Sequence, residues 1–252
     1  MTDITLFGFN NLTKNLSFSL YKLHYIAEQS SCYNLFIKEH YNANKLNTML
    51  TTICHAIGGN VLNVAKQDYQ PQGASVTLMI SEESPAEPLP DAANSSLIAH
   101  LDKSHLCIHT YPEESPQKGV AIFRADIELS TCGVISPLEV LNFVIKTFDA
   151  DVIDIDYRIR GMTRNAKGEK LFTIDKLSNL SEFISNELTT KYVISEHNFP
   201  KQKLYHSKLR RQRICLGEHR FNAIDANLSK DEVDSIKRDI EHEIEQLFKS
   251  SE

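Results

Sequence analysis

No stretch of this chain approaches the roughly 18 consecutive apolar residues that a membrane span needs. The start, MTDITLFGFNNLTKN, also lacks a basic segment followed by an apolar core. A membrane partner is therefore not expected, and the expected address is cytoplasmic. Positive charge is in deficit: 27 basic against 33 acidic residues give a net charge of -6, the opposite of what a phosphate backbone selects. Nucleic acid is excluded as a natural partner. Cysteine is sparse, and Cys32, Cys54, Cys107, Cys132 and Cys215 are scattered, odd in number and never spaced CxxC. Neither a disulfide framework nor a cysteine zinc site follows from such a pattern. Tryptophan is absent, which decides nothing about function.

What is present suffices for a packed core, since 41% of the 252 residues are hydrophobic. Leu16, Phe18 and Leu20 alternate as in a half-buried strand. From Tyr33 to Ile57 the spacing turns helical, with Leu46, Met49, Leu50, Ile53 and Ile57 on one face and Gly58 and Gly59 as the stop, so one long helix is predicted. Strands are predicted at Val61 to Val64 and, after Pro71 and Gly73, from Ala74 to Ile80. Residues 81–95, SEESPAEPLPDAANS, read as an exposed excursion and not as a domain boundary. LIAHL, HLCIHTY, VAIFRADIEL and DVIDIDYRIR read as further strands, the middle pair joined by a turn-rich PEESPQKG. Ser136, Pro137 and Glu139 mark a helix start whose face is Leu138, Leu141, Val144, Ile145 and Phe148. A capping box from Ser229 to Glu232 opens a last helix, with Val233, Ile236, Ile240, Ile244 and Leu247 at helical spacing, predicted to dock on the body. No solenoid repeat is visible. Hairpins outnumbering crossovers favour an α+β fold, a two-layer sandwich of a largely antiparallel sheet packed on helices.

The densest reactive cluster is AHLDKSHLCIHTYPE, residues 99–113, with Ser104, His105, Cys107 and His109 close together. On its own this is compatible with a buried strand whose His105, Cys107 and His109 share one face and make ordinary hydrogen bonds. The setting adds more. GFNNLT (8–13), YNAN (41–44), QDYQPQGASVT (67–77), AHLDKSH (99–105), IHTYPE (108–113), FRADIE (123–128), STCGVISPL (130–138) and DYRIRG (156–161) occur in this order. With these stretches the chain resembles the bacterial S-adenosylmethionine decarboxylases of the branch cleaved at a Lys-Ser bond. The resemblance covers about residues 6–165 and is weak over 166–252.

The resemblance implies a single domain, 1–252, that cuts itself between Lys103 and Ser104 into chains 1–103 and 104–252. It implies a pyruvoyl group derived from Ser104, which supplies the electron sink that a decarboxylase needs. No lysine motif for pyridoxal phosphate is apparent. His109 matches the residue that removes the Cα proton during processing, a task suited to an imidazole with an ordinary pKa of about 6.5. Cys132 matches the acid that reprotonates the substrate carbon; a thiol of ordinary pKa about 8.5 is mostly protonated at neutral pH. Glu113 matches a carboxylate on the substrate ribose, where two oxygens can accept from adjacent hydroxyls. Ser75 is a looser match for a hydroxyl that helps processing. The implied substrate is S-adenosylmethionine and the implied role is spermidine synthesis.

The spacing of Ser104 and His109 poses a geometric difficulty. Five residues along an ideal strand span roughly 16 Å, and the odd offset turns the side chains to opposite faces. Either the precursor bends sharply at Ser104 or the acting His109 belongs to a second protomer; family resemblance favours at least a dimer. Mg²⁺ as an activator is also implied by the resemblance, yet no DxDxDG-like loop supplies ligands, so the metal site stays open. Rival readings are a pyruvoyl decarboxylase of ornithine or arginine, since condensation needs only an α-amine, and a silent partner of a paralogue. A Cys107–His109 thiol hydrolase dyad lacks an orienting third group.

Overall fold

The computed structural model describes residues 11–26, 30–82, 104–113, 119–132, 135–165, 167–172, 177–221 and 228–249. Its body is an antiparallel sheet in the order β2-β3-β4-β5-β1-β6-β10-β9. The strands are β1 (Thr13–Tyr25), β2 (Gly59–Asp68), β3 (Ala74–Glu82), β4 (Ser104–Pro112), β5 (Val120–Cys132), β6 (Val152–Arg160), β9 (Tyr192–Phe199) and β10 (Leu204–Arg211), with a small separate pair β7 (Thr163–Arg164) and β8 (Lys170–Leu171). The sheet packed on helices is the α+β sandwich expected from the sequence.

Alternation decides which face is covered. Leu16, Phe18 and Leu20 of β1, Leu106 and Ile108 of β4, Phe123, Ala125 and Ile127 of β5 and Ile153, Ile155 and Tyr157 of β6 all lie in the main core. Against them pack α1 (Ser30–His40), α2 (Ala43–Ala56) and α3 (Leu141–Phe148). The opposite face is polar over much of its extent, and at one end it receives α5 (Lys230–Lys249). There Ile236, Ile240 and Ile244 meet Leu23, Val120 and Val152 in a second core. The docking helix is thus confirmed, with its capping box: Glu232 N donates to Ser229 Oγ at 3.3 Å and Ser229 N to Glu232 Oε2 at 2.8 Å.

The single long helix predicted over 33–57 is two. Asn42 breaks it: its Oδ1 accepts from Asn44 N and Lys45 N at 3.0 Å, while its Nδ2 donates to Lys38 O at 2.9 Å. One side chain therefore caps α2 and closes α1, and such an N-cap is worth about 1 kcal/mol. Asp68 adds a second cap, accepting from Ala43 N at 2.7 Å. The predicted helix at 136 begins as a tight 3₁₀ turn, Pro137–Val140, before α3, and Ser136 makes no side-chain capping bond. Periodicity missed α4 (Asn186–Lys191), β9 and β10, which complete one side of the sheet. The LIAHL strand and nearly all of the 81–95 excursion lie outside the described residues.

Beyond β1, a buried charge network ties three strands together. Asp151, fully buried, accepts from Leu23 N at 2.8 Å and pairs with His219 Nε2 at 3.1 Å. Arg211 Nε lies 2.8 Å from Asp151 Oδ1, an ion contact without hydrogen-bond alignment. Burial alone raises the Asp151 carboxyl, but the His219 bond and the charges of Lys22, His219 and Arg211 outweigh it and hold its pKa below the ordinary value.

Two motif segments meet at the other end of β1. Asn11 N donates to Met162 O at 3.0 Å, and Met162 N donates to Asn11 Oδ1 at 2.8 Å. Gly161 has φ +78° there, and a Cβ on it would fall 2.1 Å from Asn11 O. We expect Gly161→Ala to destabilise the fold by on the order of 2–3 kcal/mol. Urea unfolding checks this, and an unchanged midpoint contradicts it.

His24 offers a pH test. Enclosed by Tyr33, Phe36 and Phe221, it has its pKa lowered to about 3, by burial first and by the Lys22 charge second. The folded value lies below the ordinary value of about 6.5, so the neutral ring contributes stability that is complete above that pH and lost as pH falls toward the folded value. The loss for one such group is about 1.4 kcal/mol per pH unit. His24→Phe should flatten the stability profile between about pH 6 and pH 4 by that amount, measured by urea unfolding at each pH.

Candidate active site

Ser104 is the first residue of β4 and only 1% exposed, its side chain on the helix-covered face. Cys132 is the last residue of β5. The β4–β5 ladder pairs His105 with Ser130, which brings the start of one strand beside the end of the other. There the Cys132 N–H donates to Ser104 Oγ at 3.2 Å. The Cys132 side chain points to the opposite, open face, where its Sγ lies 4.0 Å from Thr13 Oγ1. Two of the residues singled out in the sequence are thus neighbours, one strand apart. Lys103 lies outside the described residues.

His105, Cys107 and His109 share the open face, as alternation predicted. His109 stands across from Ser75 of β3 and Asp126 of β5. Ser75 Oγ accepts from the Tyr69 hydroxyl at 2.7 Å, so the looser sequence match lies beside His109. Within one chain His109 does not reach Ser104: the strand runs straight between them and their side chains leave opposite faces. Glu113 is farther still, past the far end of β4, roughly 30 Å along the strand direction from Ser104. Its Oε2 accepts from Ile122 N at 3.0 Å, and the residue is exposed.

Burial and the Glu128 charge raise the Cys107 thiol, which keeps it protonated and argues against a Cys107–His109 nucleophile. Thr13 and Tyr69 were missed as site neighbours, although both lie in the motif stretches GFNNLT and QDYQPQGASVT. Among the described residues, no cluster of three or more His, Cys, Asp or Glu side chains is arranged to hold a metal ion.

A buried serine thus heads one strand beside a cysteine that ends the neighbouring one. The family model described as S-adenosylmethionine decarboxylase matches residues 23–161, and the chain belongs to that family. The S-adenosylmethionine decarboxylase proenzyme of Photorhabdus laumondii is 43% identical over 257 aligned positions, covering 98% of this chain and 97% of its own. The proenzyme of Yersinia pseudotuberculosis is 42% identical over the same extent. The adenosylmethionine decarboxylase of Aquifex aeolicus, a crystal structure, is a distant likeness: 16% identity and a TM-score of 0.37, over 67% of this chain and 97% of that one.

Proposed function

We propose that the protein is a self-processing decarboxylase that converts S-adenosylmethionine to its decarboxylated sulfonium and carbon dioxide, the aminopropyl donor for spermidine. Processing cuts after Lys103, leaves chains 1–103 and 104–252, and forms a pyruvoyl group from Ser104. The observation that carries this reading is the burial of the Ser104 hydroxyl at a strand start, held by the Cys132 N–H at 3.2 Å. A surface turn serine has no such fixed donor. Burial also keeps bulk water from hydrolysing an ester formed there.

The chemistry follows from the groups present. Ser104 Oγ attacks the preceding carbonyl carbon; the C–N bond breaks as the C–O bond forms, and the hydroxyl proton passes to the released nitrogen, giving an ester. His109 removes the Cα proton, the ester carboxylate leaves with its electron pair, and water displaces ammonia from the resulting dehydroalanine. A pyruvoyl group at position 104 would supply a ketone able to hold the substrate amine and an electron sink for the pair left when carbon dioxide departs. Cys132 returns a proton to the substrate carbon from its place on the open face. No step is routed through Mg²⁺, for which the described residues offer no ligand cluster.

The separation of His109 and Glu113 from Ser104 supports a site completed by a second copy. A two-fold axis through the open face would set the far end of one β4 against the start of the other, so that His109 and Glu113 of one copy face Cys132 of its mate and the backbone of Ser104, whose hydroxyl lies on the covered side. Glu113 then accepts from the ribose hydroxyls. The names of the relatives favour this substrate over free ornithine or arginine. No described helix is long and apolar enough to cross a membrane, which accords with a cytoplasmic address.

A denaturing mass spectrum of purified protein tests the reading directly. Wild type should appear as two chains divided after Lys103, the longer one blocked by a pyruvoyl group, and Ser104→Ala as one intact chain. A wild type that stays intact on long incubation sinks the proposal. Cys132→Ala should still divide but release carbon dioxide from S-adenosylmethionine about 10²- to 10⁴-fold more slowly. An unchanged rate removes Cys132 from the acid role.

A further inference from the structure

Lys14 is 1% exposed, and burying an ammonium costs several kcal/mol unless its surroundings compensate. Register explains where it sits. Lys14 pairs with Thr131 across β1 and β5. On the other side of β5, His105 pairs with Ser130, so Ser104 stands one step on, level with Thr131. Lys14, Thr131 and Ser104 therefore form a row across three neighbouring strands on the helix-covered face, each at most 1% exposed.

The Lys14 and Thr131 side chains converge on one backbone oxygen, that of Ile135. Lys14 Nζ donates to the Ile135 carbonyl at 2.5 Å, and Thr131 Oγ1 donates to the same oxygen at 3.3 Å. A charged donor in a dry setting makes the stronger of these two bonds. The shared Ile135 oxygen ties the Lys14 and Thr131 side chains together. The peptide that follows Thr131 carries the Cys132 N–H, the donor to Ser104 Oγ.

We propose that Lys14 is a positioning residue for self-cleavage. Through the Ile135 oxygen that it shares with Thr131 it fixes the Thr131–Cys132 peptide, and through the Cys132 N–H it aims the Ser104 oxygen at the carbonyl carbon it attacks. Lys14 forms no covalent bond; the proton that moves in ester formation is that of the Ser104 hydroxyl. The inference rests on the self-processing reading and assigns the role to the step before the ester.

The experiment follows disappearance of the intact chain in freshly made wild type, Ser104→Ala, His109→Ala, Lys14→Met and Lys14→Arg, with and without hydroxylamine, which cleaves esters. Wild type that divides while Ser104→Ala does not upholds self-processing; wild type that stays whole overturns that reading, whatever Lys14 does. Given division, Lys14→Met should be slowed about 10²-fold, the scale of a misplacement near 1 Å, and Lys14→Arg should recover part of the rate. Hydroxylamine should hasten scission of His109→Ala, stalled after the ester, and leave Lys14→Met slow. Lys14→Met dividing at the wild-type rate, or speeded by hydroxylamine as His109→Ala is, overturns the proposal. If Lys14→Met does not fold, Thr131→Val decides: slower division supports the route through Ile135, and an unchanged rate rejects it.

Discussion

The antiparallel register of β1 with β5 and β6 is the constraint on which the rest of the molecule depends. It sets Thr13 opposite both Cys132 and Arg160, and so brings together segments near residues 11, 132 and 160 that are far apart in the chain. A slip of one position would turn Leu16, Phe18 and Leu20 to the open face and put Ser17 and Ser19 in the core. The same slip would remove Thr13 from Cys132 and Lys14 from Thr131. The pattern that secures the core is therefore also the pattern that aligns the reactive ends of the strands, and neither can drift without the other.

The sheet separates its chemical groups by face. Ser104, Thr131 and Lys14 are buried on the helix-covered side, whereas Cys132 and His109 face the side on which α5 packs at one end. The Cys132 residue joins the two environments because its backbone and its thiol point to different places: the N–H reaches the buried serine and the sulfur lies by Thr13. Low dielectric on one side suits an exchange of acyl bonds, and partial exposure on the other suits contact with a charged sulfonium substrate.

Much of this was legible from sequence because it depends on local periodicity. The two-residue alternation located β1, β4, β5 and β6, and with them the faces of Ser104 and His109; the capping box located α5. Asn42 was misread because a helical run of apolar residues masks a side chain that caps one helix and closes another, an effect visible only once its acceptor and donors are placed. β9 and β10 were missed because polar residues, Glu196 and Ser207, stand on the core-facing side where apolar ones would mark a strand. Nothing in the local sequence singles out Lys14; its burial is set by pairing with Thr131, more than a hundred positions away, which no local window contains. The distance from Ser104 to Glu113 follows from strand length, but the motif that contains both gives no hint that they occupy opposite ends of the sheet.

The strand order has a consequence for the molecule once the chain is cut. The segment before residue 104 contributes β1, β2 and β3, and the segment after it contributes β4 onward, yet β1 lies between β5 and β6 while β3 lies against β4. The shorter peptide is thus woven into the longer one at two separate places, as a thread passed twice through cloth. Pulling it out means breaking the centre of the sheet and the core beneath, so dilution alone does not part the pieces. If the cut proposed after Lys103 is made, the two pieces remain one cooperative body held by this sheet.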